Sequence, residues 1–248
     1  MMQSASLMCL PAHSLFPRRK PHKVGTRQHC SLATLGLVGV LSVLGGCSST
    51  TLFQSSFNST APGSVPAVNQ AVGTISASGN VLIVAPHPNV SGNWVQLTNA
   101  GGINQTIASM VCNFSQQGLG AGTYSLVAVL YIPDGKEAAT VELGVPGPPF
   151  TGFMHLDFGP DNTVHVNDGA TFGTFPRNQP FTLSLALTAG ASTTAHIQLF
   201  GTGASGSTDV TSGIPGALAS RFGAVNFWMG VQYSGSYQVQ NILVTYKK

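Results

Sequence analysis

From about Ala71 onward the chain shows no sustained 3.6-residue hydrophobic period. Short runs alternate apolar with polar residues between clusters of Gly, Pro, Asn and Asp. The alternation is clearest in Phe181-Thr182-Leu183-Ser184-Leu185-Ala186-Leu187-Thr188, where four large apolar side chains point one way and small, mostly polar groups the other. The same reading predicts strands at 81–85, 94–98, 107–114, 123–132, 139–143, 153–158, 163–167, 195–200, 227–233 and 237–246. Asp134-Gly135, Asp161-Asn162 and Asn167-Asp168-Gly169 supply turn chemistry between them. One helical turn fits at 216–221, after Pro215. Eleven strands, each apolar on one face, predict an all-β protein built as a two-sheet antiparallel β-sandwich.

The first 46 residues follow a different pattern. Arg18, Arg19, Lys20, Lys23 and Arg27 precede a 13-residue apolar run, Leu32 to Leu44. A helix needs about 20 apolar residues to cross a bilayer, so this run is too short to span one. It leads into Leu44-Gly45-Gly46-Cys47, which resembles the lipobox of bacterial lipoproteins. The resemblance implies a signal peptide over 1–46, removed before Cys47, and a lipid on Cys47 that ties the protein to a bacterial cell envelope. Ser48 after the cysteine implies sorting to the outer membrane. Residues 47–70, rich in Ser, Thr, Asn and Pro and uncharged, are expected to be a flexible tether. The β-sandwich domain is then 71–248.

This division changes the meaning of the charge and the cysteines. The whole chain carries a formal +3, but five of its ten basic residues lie before Cys47 and all seven acids after it. The body is slightly acidic, which disfavours nucleic acid as a partner. Cys9 and Cys30 belong to the leader and Cys47 to the anchor, so Cys112 is alone in the body, without a disulfide partner. Its apolar surroundings predict a buried structural thiol. The cysteine and histidine spacings match no metal site, and no cofactor is implied.

From Gly122 on, the segments GTYSLVAVLYI, GFMHLDFGPDNTVHVNDG, PFTLSLALTAGASTTAHIQLFG and NFWMGVQYSGSYQVQNILVTY resemble the concanavalin A-like lectin and glucanase jelly roll. The resemblance lies in strand rhythm and not in signature residues, so it implies a fold; a sugar-related role follows only by analogy. Glycosidases of this class bring two or three carboxylates together on one sheet face. Here the only glutamates are Glu137 and Glu142. Their odd separation predicts opposite faces, and Glu137 beside Lys136 fits a solvated turn charge. The body holds too few basic residues for a lyase acting on uronates. Ser-hydrolase, metalloprotease and phosphate-loop motifs are absent, so no catalytic set is assigned.

The polar side of the strands supplies candidates for binding. If Met154, Leu156 and Phe158 face the core, His155 and Asp157 face away. The same rule places His165, His196 and Gln198 outward, and His165 opposite either His155 or Asp157. It also turns Trp94 and Gln96, and Trp228 and Gln232, outward. An aromatic plane with amides and imidazoles beside it suits a sugar ring. The expected function is therefore a non-catalytic, envelope-anchored module that binds glycan or polysaccharide. The alternatives are a structural or adhesive protein-interaction module and a divergent glycan-cleaving enzyme.

Overall fold

A computed structural model of the chain describes residues 49–86, 91–102, 106–115, 118–135, 137–230 and 232–248. The apolar leader, the Leu44 to Cys47 motif, Lys136 and Val231 lie outside the described residues. The strands are β1 (Thr50–Ser55), β2 (Thr74–Ser78), β3 (Asn80–Val84), β4 (Trp94–Asn99), β5 (Ser109–Asn113), β6 (Gly122–Tyr131), β7 (Ala139–Val145), β8 (Thr151–Phe158), β9 (Thr163–Val166), β10 (Thr171–Thr174), β11 (Pro180–Ala189), β12 (Thr194–Phe200), β13 (Ser205–Val210), β14 (Ala224–Trp228) and β15 (Gly235–Lys247). Among the described residues one short helix, α1 (Gly216–Ala219), stands where one helical turn was expected.

All pairings are antiparallel and form two sheets. The first runs β3-β4-β15-β6-β11-β12-β13, with β1 along the second half of β15; the second runs β2-β5-β14-β7-β8-β9-β10. Strand β13 pairs with β12 through Ser207 to Val210 and with β10 through Ser205 and Gly206, which joins the sheets along one edge. The chain is thus a nearly all-β antiparallel sandwich of the jelly-roll kind.

The core forms where the alternation predicted it. Phe181, Leu183, Leu185 and Leu187 of β11 are buried, as are Leu126, Ala128 and Leu130 of β6 and Ile197 and Leu199 of β12. The second sheet contributes Val141, Leu143, Leu156, Phe158, Val225 and Phe227. Cys112 is fully buried among them, and desolvation pushes its thiol far above the usual range, so it remains a protonated, packed side chain.

Three expectations need correction. The tether expected over 47–70 is not a tether from Thr50 on: Thr50 to Ser55 is a strand paired with Ile242 to Tyr246, and Phe53 and Phe57 are core residues. Two aromatic rings embedded in a Ser/Thr-rich stretch outweigh its polar average. The strand expected at 227–233 is Ala224–Trp228 instead, because the chain turns at Gly230, whose carbonyl accepts from the Tyr233 amide. Glu137 is not a solvated turn charge. It lies 3.8 Å from Arg177, with its carboxylate largely buried.

Arg177 fixes that end of the sandwich. Its Nε donates to Asn162 Oδ1 at 2.6 Å, and Nη1 donates to the carbonyls of Pro133 (3.2 Å) and Glu137 (2.8 Å). Nη2 donates to the Gly159 carbonyl at 3.1 Å, and the guanidinium lies over the Phe175 ring. The planar fork thereby ties the loop before β7 to the turn between β8 and β9.

Candidate functional site

Pairing in the second sheet brings polar side chains from distant parts of the chain into rows on its outer surface. Ser78, Ser109, Trp228, Thr140, Asp157, His165 and Thr171 stand in register, one from each strand from β2 to β10. The adjoining row holds Ser76, Val111, Asn226, Glu142 and His155. Apolar residues between them in sequence, such as Val141, Leu143, Leu156 and Phe227, turn to the core, and the two-residue strand period leaves these groups facing out.

The rows are linked by hydrogen bonds. Thr140 Oγ1 donates to Asp157 Oδ1 at 2.7 Å, and His155 Nε2 lies 3.2 Å from Asp157 Oδ2. Burial acts to raise the Asp157 carboxyl, but the bonds from His155 and Thr140 outweigh it and hold the group below its usual range. The hydrogen bond to Asp157 raises the His155 imidazole against its own burial, helped by the charges of Asp157, Asp168 and Glu142. Asn167 and Asp168 form a two-residue turn with positive φ at both, closed by the Gly169 amide on the Val166 carbonyl. Asn167 Oδ1 accepts from the His155 amide at 2.9 Å, and Asp168 Oδ1 lies 3.7 Å from His155 Nε2. Ligand atoms of His155, Asp157 and Asp168 fall within 4.8 Å of one another, close enough to meet around a cation, although Asp157 is already held by Thr140 and His155. His165 Nδ1 donates to the Gly169 carbonyl at 3.0 Å and its Nε2 meets Thr163 Oγ1 at 2.9 Å.

Glu142 is half-buried at the centre of the second row. Burial pushes its carboxyl above the usual range, and the opposing pull of the Asn226 amide, His155 and the Trp228 indole does not offset it. Asn226 is oriented by Ser109, whose hydroxyl donates to Asn226 Oδ1 at 2.7 Å. The Trp228 indole nitrogen is buried; it bears on Glu142 without closing a hydrogen bond of standard geometry. Glycines make room for the acid. A Cβ at Gly152 would overlap Glu142 Oε1, and one at its cross-strand partner Gly144 would overlap the Phe150 ring. Glu142 therefore lies over Gly152 beside Trp228, and the Phe150 ring covers Gly144, the cross-strand partner of Gly152. An open cavity of about 400 Å³ adjoins Trp228, lined by Ser78, Thr106, Ile107, Ser109 and Asn226.

The residues expected to form one binding face divide between two. His155, Asp157, His165 and Trp228 share the outer surface of the second sheet, and His165 stands opposite Asp157. Gln96, His196 and Gln198 belong to the first sheet. There Gln96 Oε1 accepts from Gln238 Nε2 at 3.0 Å, and the exposed His196 donates to Asp209 Oδ1 at 2.7 Å. Gln232 is exposed in the turn after β14. Trp94 corrects the expectation outright, because it is fully buried, edge-on to Tyr131 with ring centroids 6.2 Å apart. The segment that leads into it, Ser91 to Asn93, is itself tied down by hydrogen bonds. Gln240 donates to the Ser91 carbonyl, and Asn93 bonds Asn58 Oδ1 and the Thr60 carbonyl. Sequence reasoning missed Thr140, Phe150, Gly152 and Asn226, and weighed Glu142 only against Glu137, as a carboxylate pair set on opposite faces. The outward position of Glu142 was readable from Val141 and Leu143; its neighbours were not.

No protein-family model and no curated protein matches the chain. Among solved structures it is similar to a carbohydrate esterase from the Shiga toxin-encoding bacteriophage phi24B. The TM-score is 0.54 at 12% identity, over 81% of this chain and 100% of the other. A protein of unknown function from Shewanella oneidensis MR-1 gives a TM-score of 0.54 at 12% identity, over 92% and 97% of the two chains. Arcelin-5, a lectin-like defence protein of Phaseolus vulgaris, gives 0.48 at 10% identity, over 80% and 98%. At these identities the likeness is one of fold.

Proposed function

We propose that the protein is a glycan-binding module held at the bacterial cell envelope by a lipid on Cys47, and that the outer surface of the second sheet is its binding face. One observation carries the binding reading: Trp228 stands beside a cavity and in register with a row of hydroxyl, carboxyl and imidazole groups. A sugar offers an apolar C–H face to an aromatic ring and hydroxyls to fixed acceptors, and this surface presents both. The anchor rests on the basic flank, the apolar run and Leu44-Gly45-Gly46-Cys47. Retention of the protein on a glycan array tests the first part. Palmitate labelling tests the second, with incorporation expected in the native chain and lost in Cys47→Ser.

A second reading, cleavage of the bound glycan, is favoured by the carboxyls of Glu142 and Asp157. They share one face and are shifted in opposite directions, as a proton donor and its counterpart require. Release of reducing ends from a retained glycan by the native protein, and not by Glu142→Gln, is its test.

A further inference from the structure

We infer that the binding face selects sugars bearing a free amine, with Glu142, Trp228 and Phe150 forming the seat for the ammonium group. The inference rests on the glycan-binding reading and adds the ligand class to it. The chemistry of the surface excludes one class first. The two rows present Glu142 and Asp157, with Asp168 beside His155, and no lysine or arginine occupies either row. Arg177 is spent on three backbone carbonyls and Asn162. Uronate, sulfate and phosphate groups would find no ammonium or guanidinium to pair with here, and the imidazole of His155 is already held by Asp157.

The second step concerns Glu142. Its carboxyl is kept half-buried over Gly152 beside Trp228, with the Phe150 ring over the adjoining Gly144, and protein partners do not fully offset its desolvation. The Trp228 indole nitrogen beside it is buried and closes no hydrogen bond of standard geometry. A carboxylate with aromatic side chains beside it is matched by a cation that is small enough to pair with the acid and to lie against a ring. An N-acetyl group at the same position supplies neither the charge nor the pairing. Neutral hydroxyls would still bond Asn226, Thr140 and Asp157, so neutral glycans bind more weakly and are not excluded.

The test compares four oligomers on the native protein by calorimetry: glucosamine, N-acetylglucosamine, glucose and galacturonate. The glucosamine oligomer is expected to bind about tenfold tighter than its N-acetylated counterpart, the scale of one cation–aromatic and carboxylate contact. Galacturonate is expected to bind least. Glu142→Gln should collapse the amine preference, read as the ratio of the glucosamine-oligomer to the N-acetylglucosamine-oligomer affinity. A readout on the unaltered protein guards against a misfolded variant: the preference should fall as pH is lowered through the titration of Glu142. The other titrating groups facing it are His155, Asp157, Asp168 and, farther along, His165; protonating any of them also adds positive charge. Equal affinity for the amine and its N-acetyl form, or a preference that survives both Glu142→Gln and acid, overturns the inference alone. Failure to bind any of the four overturns the glycan reading with it.

Discussion

Glu142 and His155 face each other directly across the β7–β8 pair on the outer surface of the second sheet, although thirteen positions separate them in the chain. The pairing puts a carboxyl raised by burial beside an imidazole raised by its bond to Asp157. Protonation of this surface therefore couples stability to binding.

Glu142→Gln is expected to stabilise the protein near neutral pH. An acid whose folded pKa lies above its unfolded value contributes most below the unfolded pKa and loses that contribution as pH rises through the folded one. The amide removes the loss, so melting temperatures of variant and native protein should diverge upward as pH rises from 4 to 7. Equal melting temperatures across that range would contradict the burial of Glu142.

The His155–Asp157 pair predicts a modest coupling. A double-mutant cycle with His155→Ala and Asp157→Asn should give about 0.5–1 kcal/mol, since both side chains keep about a third of their surface exposed. For His155, with its folded pKa raised, the contribution is full below the unfolded pKa and fades as pH rises through the folded value. For Asp157, with its folded pKa lowered, it is present above the unfolded pKa and disappears as pH falls through the folded value. Chemical denaturation of the four variants at several pH values measures this, and a coupling that does not vary with pH would refute it.

Gly152→Ala separates binding from folding. The residue has no positive φ, and the atoms nearest its new Cβ all belong to the Glu142 side chain, so the strain can be relieved by moving that side chain, at a cost of about 1–2 kcal/mol. The carboxyl must move, and the amine preference should go with it. Retention of that preference would mean that Glu142 is not the seat.

Arg177→Lys is expected to cost about 2 kcal/mol or more by denaturant unfolding. An ammonium cannot reproduce the three-carbonyl fork, and buried acceptors are left without donors. A loss within error would assign the loops another source of order.

Much of the sandwich was legible because burial imposes period two, as in β11, where Leu183, Leu185 and Leu187 are buried in strict alternation. Strands β2, β10 and β13 escaped because segments such as Ser205-Gly206-Ser207-Thr208-Asp209-Val210 bury almost nothing and are held by the ladder bonds of their neighbours. Trp94 shows the limit of alternation. Alternation along the strand does not show that the ring is fully buried, edge-on to Tyr131, where Asn93 is tied to Asn58 and Thr60 in a stretch that looked like a linker. For the site, each outward residue could be assigned singly. The rows arise from register across β5, β14, β7 and β8, which local pattern does not encode when the strands are this far apart in the chain.

The contrast between the two tryptophans tests the central claim most directly. Trp94→Ala should cost about 3–5 kcal/mol, as removal of a buried aromatic does, whereas Trp228→Ala should cost only about 1 kcal/mol. The decisive measurement is retention of purified Trp228→Ala on a glycan array beside the native protein, with melting temperatures recorded for both. A folded variant that has lost retention is the predicted result. A folded variant that binds as the native protein does would contradict the assignment of this face.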